Sequence, residues 1–136
     1  MSRRYLLDSS AISHLVSDDD RSLDRFEEAA AGGGTFFLCA FVYYEITRGF
    51  LHEPKPRKQR AFQALIPELI WTDLDIRDWE LGAHIWAEAT RRGRKPGDGD
   101  ALIAAAGVNR SATVVTANEK HFRELPAAFE NWCVEE

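Results

Sequence analysis

The sequence predicts an α/β fold in which helices cover both faces of a mostly parallel sheet. Three observations support this prediction. Short, uninterrupted apolar runs are bounded by glycine or polar residues, as in strands that are buried on both faces. Segments with apolar residues at helical spacing alternate with these runs, and the connections are short. Such alternation is typical of parallel strands joined by right-handed crossovers.

The first half of the chain contains two predicted strands, each followed by helices. The polar segment 8–10 (DSS) closes the first apolar run, and serine or aspartate there can cap the next helix. Glycines at 32–34 end a charged helix, and Pro54 and Pro56 stop a later one. The predicted elements are a strand at 5–7, helices at 9–16 and 23–30, a strand at 35–40, and helices at 41–51 and 57–69.

The second half repeats the pattern. Trp79, Gly82 and Trp86 share one face of the longest helix, and we expect the tryptophans to be buried against the sheet or in a dimer interface. Gly93 ends this helix, and the segment 97–100 (GDGD) opens another. The predicted elements are strands at 70–72 and 113–116, helices at 75–92, from 97, and at 118–125, and a weak strand in the tail.

Composition limits the function classes. A chain of 136 residues is long enough for one core, so we expect a single domain over residues 1–136. The formal net charge of -5 provides no general attraction for a polyanion, so any nucleic-acid contact must be local. The two cysteines lack a CxxC spacing and make a poor zinc site. Without a signal-like or membrane-spanning segment, we expect a soluble, cytoplasmic protein.

Four polar residues are expected at one edge of the predicted sheet. Asp8 follows the first strand, Glu45 lies in the helix after the second, Asp100 opens a late helix, and Asn118 follows the strand at 113–116. Ligands of α/β sheets bind at the carboxyl ends of the strands. Carboxylates that share a pocket repel one another unless a divalent ion compensates their charge. Oxygen ligands without a histidine or cysteine pattern favour Mg²⁺ or Mn²⁺.

Each of these residues also has an ordinary structural explanation. Asp8 can cap the helix after the first strand, and Asn118 can cap the helix after the strand at 113–116. Asp98 and Asp100 lie in the first turn of a helix, where the helix dipole stabilises negative charge. Glu45 can be a solvated helix residue. The metal site is favoured only because the four positions coincide at strand ends of one domain.

Five segments of the sequence resemble a known family. The segments are YLLDSSAISHL at the amino end, YYEITRGF, GDGDALIAAAGV, VVTANEKHF, and FENW near the carboxyl end. In this order and spacing they resemble the PIN-domain ribonucleases of the VapC type, which are toxins of type II toxin-antitoxin systems. The resemblance covers essentially the whole chain.

The resemblance implies a three-layer α/β/α sandwich that uses Mg²⁺ or Mn²⁺ to hydrolyse phosphodiester bonds of RNA. Asp8, Glu45 and Asp100 match the three most dependable acids of the family, as both catalytic and metal-binding residues. The fourth metal-binding position, often aspartate, is Asn118 here, which offers an oxygen but no charge. Asp98 is a candidate to restore that charge, and Asp98 or Asp100 is the candidate catalytic base. Ser9 and Thr116 match hydroxyl positions beside the pocket.

The resemblance also implies two protein partners. One is a small antitoxin that occupies a hydrophobic groove and inserts a basic residue into the acidic pocket. The other is a second copy of the chain, in a homodimer. No membrane partner is implied.

An RNA substrate requires basic residues near the acidic pocket. The candidates for phosphate contact are Arg48, which follows Glu45 by almost one helical turn, and Arg94 and Lys95, which cluster with Arg91 and Arg92 before Asp98. The alternative is that Arg91 and Arg92 stabilise the end of their helix and that the loop residues are solvated. A second basic stretch runs over residues 55–60 and is either a patch or a soluble helix face.

Other chemistries are less well supported. The four histidines, His14, His52, His84 and His121, show no ligand spacing, so packing or exposure is expected. A non-catalytic PIN-like module that binds nucleic acid or a protein partner is the main alternative, and Asn118 keeps it open. A phosphoryl-accepting receiver domain needs an aspartate after a middle strand, and none follows the strand at 35–40.

Overall fold

A five-stranded sheet lies at the centre of the computed structural model, which describes residues 2–134. All neighbouring strands are parallel, and their order is β3-β2-β1-β4-β5. The predicted fold class is therefore confirmed, and the sheet is parallel throughout rather than mostly parallel. The strands are β1 (Arg4–Leu7), β2 (Thr35–Cys39), β3 (Ile70–Thr72), β4 (Thr113–Val115) and β5 (Phe129–Glu130).

The helices begin and end close to the positions that the sequence predicts. The predicted helix at 57–69 is shorter, because a 3₁₀ turn containing Pro67 replaces its end, and proline cannot donate a helical hydrogen bond. The helix after β4 spans a single turn. The helices are α1 (Ser9–Val16), α2 (Asp20–Ala31), α3 (Ala40–His52), α4 (Pro56–Leu65), α5 (Ile76–Arg91), α6 (Asp98–Asn109) and α7 (Glu119–Phe122). Within residues 2–134, no helix combines the length and apolarity needed to cross a membrane.

The strand order places a topological switch point between β1 and β4. From β1 the chain moves outward through β2 to β3, and then it returns across the sheet to β4. Helices α1–α4 lie in the connections that move outward from β1 to β3, and α5 and α6 lie in the connection that returns to β4. Because right-handed crossovers that run in opposite directions lie on opposite faces of a sheet, α1–α4 cover one face and α5 and α6 cover the other. Crevices that bind ligands form where the strand order reverses, at the carboxyl ends of the strands. The ends of β1 and β4 therefore define the expected site.

The buried face of α5 is rotated from the predicted one, although Gly82 belongs to both. Its buried residues are Asp78, Gly82, Ile85 and Ala89, which recur at spacings of three and four. Gly82 lets α6 approach closely, since an added Cβ would lie 2.9 Å from the side chain of Leu102. Of the two places predicted for the tryptophans, burial against the sheet is wrong for Trp79, which is 51% exposed, and the dimer interface stays a prediction.

A buried ion pair joins the end of α6 to the start of α5. The Arg110 guanidinium donates one hydrogen bond to each carboxylate oxygen of Asp78, both at 2.8 Å, and Asp78 is 1% exposed. Arg110 also donates to the Thr72 hydroxyl at 2.8 Å and to the Asp73 carbonyl at 2.9 Å. These bonds to Arg110 hold the pKa of Asp78 well below its usual range. The pair therefore connects β3, α5 and α6.

Candidate active site

Asp8 lies at the switch point, directly after β1. Its backbone N–H donates to the Val115 carbonyl at 3.0 Å, which extends the pairing of β1 with β4 by one residue. The side chain is 4% exposed and caps α1, because its Oδ1 accepts from the Ala11 N–H at 2.9 Å. The structural explanation for Asp8 thus holds, but the cap uses only one of the two carboxylate oxygens.

A hydroxyl network connects Asp8 to the end of β4. The Ser10 hydroxyl donates to Asp8 Oδ1 at 2.7 Å and lies 3.3 Å from the Thr116 hydroxyl. It accepts from the Ala117 N–H at 2.9 Å, and Thr116, which is fully buried, accepts from the Asn118 N–H at 2.9 Å. Ser10 was not singled out from the sequence, although its place two residues after an N-cap aspartate brings its hydroxyl within reach of that carboxylate.

Glu45 reaches the same region from α3. The Ser9 hydroxyl donates to Glu45 Oε1 at 3.2 Å, so the serine next to Asp8 contacts the second acid. Burial raises the pKa of Glu45, the hydrogen bond from Ser9 and the charge of Arg48 lower it, and the negative charges of Asp100 and Asp8 raise it further. The negative charges of both other acids therefore influence the pKa of Glu45.

Asp100 lies in the first turn of α6, at the opposite side of the pocket. Its Oδ2 is 3.0 Å from Nδ1 of His121 on α7. Burial is the main cause of the raised pKa of Asp100, the His121 contact lowers that pKa, and the charge of Asp8 raises it. His121 was expected to be packed or exposed; its side chain is 55% exposed but contacts a site residue. The sequence gave no sign of this pair, because His121 lies 21 residues after Asp100.

The backbone of α6 comes close to α3 at Gly99. A Cβ added there would lie 2.6 Å from a ring carbon of Phe41 and 3.6 Å from Glu45 Oε2. Real Cβ atoms do not approach so closely, and therefore this position has no room for a side chain unless Phe41 moves. The absence of a side chain at Gly99 lets Asp100 and Glu45 face the same pocket.

The three acids together form a pocket of concentrated negative charge. The pKa of Asp8 is also raised, by burial above all, although hydrogen bonds from Thr116, Ala11 and Ser10 oppose the shift. The pocket is not a tight cage. Among residues 2–134, a group of three potential metal ligands with all ligand atoms within 4.8 Å of one another is found outside this pocket. The carboxylates of Asp8, Glu45 and Asp100 are farther apart than that, so they surround a wider space.

A comparison with protein-family models matches the PIN domain over residues 5–128. The chain belongs to the PIN domain family. Ribonuclease VapC2 of Rickettsia felis is 25% identical over 130 residues, which cover 94% of this chain and 97% of that protein. Two similar solved structures are VapBC2 of R. felis bound to a DNA fragment from its promoter and DNA-bound VapBC of Salmonella typhimurium. The R. felis structure has a TM-score of 0.85 and covers 95% of this chain and 98% of its own. The S. typhimurium structure has a TM-score of 0.81 and covers 96% of this chain and 99% of its own. Both are 23% identical to this chain.

Two further predicted site residues of this PIN domain lie at the margin of the pocket or outside it. Asn118 lies three residues after β4, at the N-cap position before α7, where it is exposed and its side chain makes no capping hydrogen bond. Asp98 is exposed and lines a groove with Trp79, Trp86 and Leu102. Two residues along a helix correspond to a rotation of roughly 200°, which separates Asp98 from Asp100.

The basic residues of the PIN domain are spread over several surfaces. Arg48 is exposed one turn from Glu45, and its guanidinium lies over the Tyr44 ring at 5.0 Å. The Lys95 ammonium lies 5.8 Å from the Trp86 ring centroid, on the side where Asp98 is found. Arg94 is exposed, and its backbone N–H closes the end of α5. The remaining candidates, Arg91 and Arg92, both form ion pairs with Glu88.

A groove of ≈ 290 Å³ runs from the acidic pocket between α1 and α3. Ser9 and Glu45 line its beginning, because both helices start at the carboxyl ends of parallel strands. Its apolar walls continue along the two helices, and Lys55 and Lys58 line the far end. The apolar wall residues are Ile12, Val16, Ile46 and Phe50. The basic stretch at 55–60 therefore contributes two lysines to a groove that also contains a site acid.

Proposed function

We propose that this PIN domain is a divalent-metal-dependent endoribonuclease that hydrolyses RNA phosphodiester bonds and acts as the toxin of a toxin-antitoxin pair. The observation that carries the proposal is the pocket of three desolvated carboxylates, each with a raised pKa, at the switch point of the sheet. The R. felis relative is named a ribonuclease, and a further similar structure, from Klebsiella pneumoniae (TM-score 0.67, 20% identity), is described as a toxin-antitoxin complex. Both descriptions support the same function.

Asp8, Glu45 and Asp100 would hold Mg²⁺ or Mn²⁺, with the Asn118 side-chain oxygen as a weaker ligand. Their oxygen donors and their mutual repulsion fit a hard divalent cation. Such an ion, when bound, offsets charge on the phosphate and makes water more acidic. Because the carboxylates surround a wide space, we propose that water fills part of the coordination sphere, as Mg²⁺ prefers.

The residues around the acids would keep them in place. The Ser10 and Thr116 hydroxyls restrain Asp8, and Ser9 restrains Glu45. Between the two candidate bases, Asp100 is favoured over Asp98, since Asp100 lies in the pocket with a raised pKa and Asp98 lines another groove. Arg48, next to Glu45, is the best placed phosphate contact, and Arg94 and Lys95 would act farther along the RNA.

The groove between α1 and α3 is the proposed site of the antitoxin. An apolar segment of the partner would pack on Ile12, Ile46 and Phe50, and a basic side chain at its end would meet the negative pocket at Glu45. The solved relatives are VapBC complexes, which supports a protein partner of this kind. A short partner gene directly upstream is the expected genomic context.

A homodimer and a cytoplasmic location complete the proposal. Exposed aromatic and aliphatic side chains, among them Trp71, Ile76 and Trp79, provide apolar surface for a second copy. Both cysteines are free, as is usual in the reducing cytoplasm, where RNA is found.

Cleavage of total cellular RNA tests the nuclease function. The purified protein is incubated with Mg²⁺, with Mn²⁺, or with a chelator, and the products are resolved on a gel. We expect discrete fragments with either ion and intact RNA with the chelator. RNA that stays intact under all conditions, once any antitoxin has been removed, would favour the non-catalytic binding module, for which the uncharged Asn118 is the supporting observation.

Mn²⁺ should raise the thermal stability of the wild type but not that of Asp8→Asn. The raised carboxyl pKa values mean that the native state binds protons more readily than the unfolded chain, so without ions stability falls as pH rises above about 4. Mn²⁺ binds only the native state, and this binding should offset the loss of stability. Without ions, Asp8→Asn should be as stable as the wild type or more stable. An equal loss of Tm with and without Mn²⁺ would instead mean that Asp8 acts only as a helix cap.

Gly99→Ala should weaken Mn²⁺ binding about tenfold, or by about 1.4 kcal/mol. The added methyl group collides with Phe41 and pushes the first turn of α6, with Asp100, away from Glu45. Calorimetric Mn²⁺ titration measures the effect, and Val108→Ala at the other end of α6 is the control. The double variant Gly99→Ala/Phe41→Leu should recover affinity because the smaller side chain makes room. Unchanged affinity in Gly99→Ala would contradict this account of the pocket.

A further inference from the structure

Three potential metal ligands meet outside the acidic pocket. They are His14 at the end of α1, Asp19 before α2, and Cys133 near the carboxyl end of the described chain. One ligand atom from each lies within 4.8 Å of the other two, and Nδ1 of His14 is 2.9 Å from Oδ2 of Asp19. The sequence does not reveal this group, because Cys133 is more than a hundred residues from the other two.

Local structure holds each of these ligands in place. The turn between α1 and α2 contains Asp18 in the left-handed region, at φ 59°, and the Asp19 N–H donates to the His14 carbonyl at 3.3 Å. Oδ1 of Asp19 accepts from the Ser22 N–H at 3.1 Å and so caps α2, while Oδ2 faces His14. The Ser22 hydroxyl donates to Cys133 Sγ at 3.6 Å.

We propose that His14, Asp19 and Cys133 bind one Zn²⁺ ion, with water as the fourth ligand. A thiolate, an imidazole and a carboxylate are the three ligand types of zinc sites, and zinc bond lengths place tetrahedral ligands about 3.3 to 3.6 Å apart. The three ligand atoms already lie within 4.8 Å of one another, so small side-chain movements would bring them to these distances. Binding releases the thiol proton of Cys133, because zinc coordinates the thiolate.

This site differs from the acidic pocket in position and in chemistry. His14 lies six residues after Asp8, which corresponds to about 9 Å along α1. The thiolate favours zinc and related transition metals, whereas a pocket of carboxylates favours Mg²⁺ or Mn²⁺. The side chain of His14 is 43% exposed, and Cys133 is partly exposed, so an ion can enter from solvent. Cys39, by contrast, is fully buried in the core.

Zinc at this site would tie the carboxyl-terminal segment to the turn between α1 and α2. Trp132, next to Cys133, packs on Tyr5 of β1 and Phe26 of α2, so the segment already contacts the same layer of the fold. Only the folded chain brings the three ligands together, and therefore the ion should raise the unfolding temperature. The site goes beyond the proposed nuclease function, which does not depend on it.

Titration of the full chain with Co²⁺ and Zn²⁺ tests the proposal. The Asp8→Asn variant serves as the background, so that binding at the acidic pocket is minimised. Co²⁺ should produce a sulfur-to-cobalt charge-transfer band, which only a thiolate ligand provides, and Zn²⁺ should displace it at one equivalent. Cys133→Ser should lose the band and bind Zn²⁺ at least tenfold more weakly, and His14→Ala should bind it at least tenfold more weakly. The control His84→Ala, an exposed histidine on α5, should behave like the background.

Circular dichroism shows whether each variant is folded, and Zn²⁺ should raise the unfolding temperature of the background but not that of Cys133→Ser. The proposal is overturned if no charge-transfer band forms, if the band survives in Cys133→Ser, or if folded Cys133→Ser binds Zn²⁺ as tightly as the background. These outcomes do not involve RNA cleavage, so failure of the zinc site and failure of the nuclease proposal are distinguishable.

Discussion

Replacing Asp8 with asparagine should reduce Mn²⁺-dependent RNA cleavage at least a hundredfold, beyond the roughly 10- to 100-fold effect of changing an outer-shell partner of a metal. The side-chain oxygen of asparagine can still accept from the Ala11 N–H and the Ser10 hydroxyl, so the cap of α1 is kept. What is lost is the negative charge at the centre of the pocket. The initial rate of cleavage of a labelled RNA, at saturating Mn²⁺, measures the effect.

The control for this variant is Glu80→Gln, which removes an exposed carboxylate on α5 and should keep full activity. Thermal unfolding shows that both proteins are folded. Cleavage by Asp8→Asn at more than a tenth of the wild-type rate would contradict the assignment of Asp8 as a metal ligand. If Asp8→Asn is active but less stable, the negative charge of Asp8 serves only to stabilise the start of α1.

Replacing Asp78 with alanine should destabilise the fold by about 3 to 5 kcal/mol, because it leaves the partly buried guanidinium of Arg110 without its carboxylate partner. For a domain of this size, the unfolding temperature should fall by about 10 °C or more. The lowered pKa of Asp78 gives the pH dependence: the contribution of the pair is complete above the unfolded pKa of about 3.9 and is lost as pH falls below it. Calorimetry at pH 7 and at pH 3 measures both effects.

The double variant Asp78→Leu/Arg110→Met should recover much of this stability, since paired apolar residues avoid the cost of an unpaired buried charge. Glu88→Ala removes an exposed ion pair on the same helix and should leave the unfolding temperature nearly unchanged. If the unfolding temperature of Asp78→Ala equals that of Glu88→Ala, the ion pair between Asp78 and Arg110 does not stabilise the fold. Both double and single variants retain the acidic pocket, so RNA cleavage by the folded fraction should persist.

The order of the elements and the place of the acids could be predicted from sequence. Each depends on near neighbours: apolar runs form strands, periodic segments form helices, and the end of a strand is visible as a polar residue such as Asp8. The rule that parallel strands bind ligands at their carboxyl ends then brings distant acids to one edge. Thus Glu45 and Asp100 could be chosen although they are 55 positions apart.

Other features could not be predicted because they depend on which faces meet. The periodicity of α5 did not show that Asp78 faces inward and Trp79 outward, since a buried aspartate is acceptable only when Arg110 reaches it. Whether Asp98 or Asp100 enters the pocket depends on the rotation of α6, which the contact of Gly99 with Phe41 constrains. The contact of His121 with Asp100 likewise exists only because α7 lies beside α6.

Local periodicity and polarity encode the alternation of strands and helices, the family, and the acids expected at the strand ends, so the order of residues was enough to predict these features. The width of the pocket, the hydroxyl network through Ser10, and the meeting of His14, Asp19 and Cys133 became visible in the folded chain alone. Side-chain distances follow from how helices pack and rotate against the sheet, and that packing is a property of the whole chain.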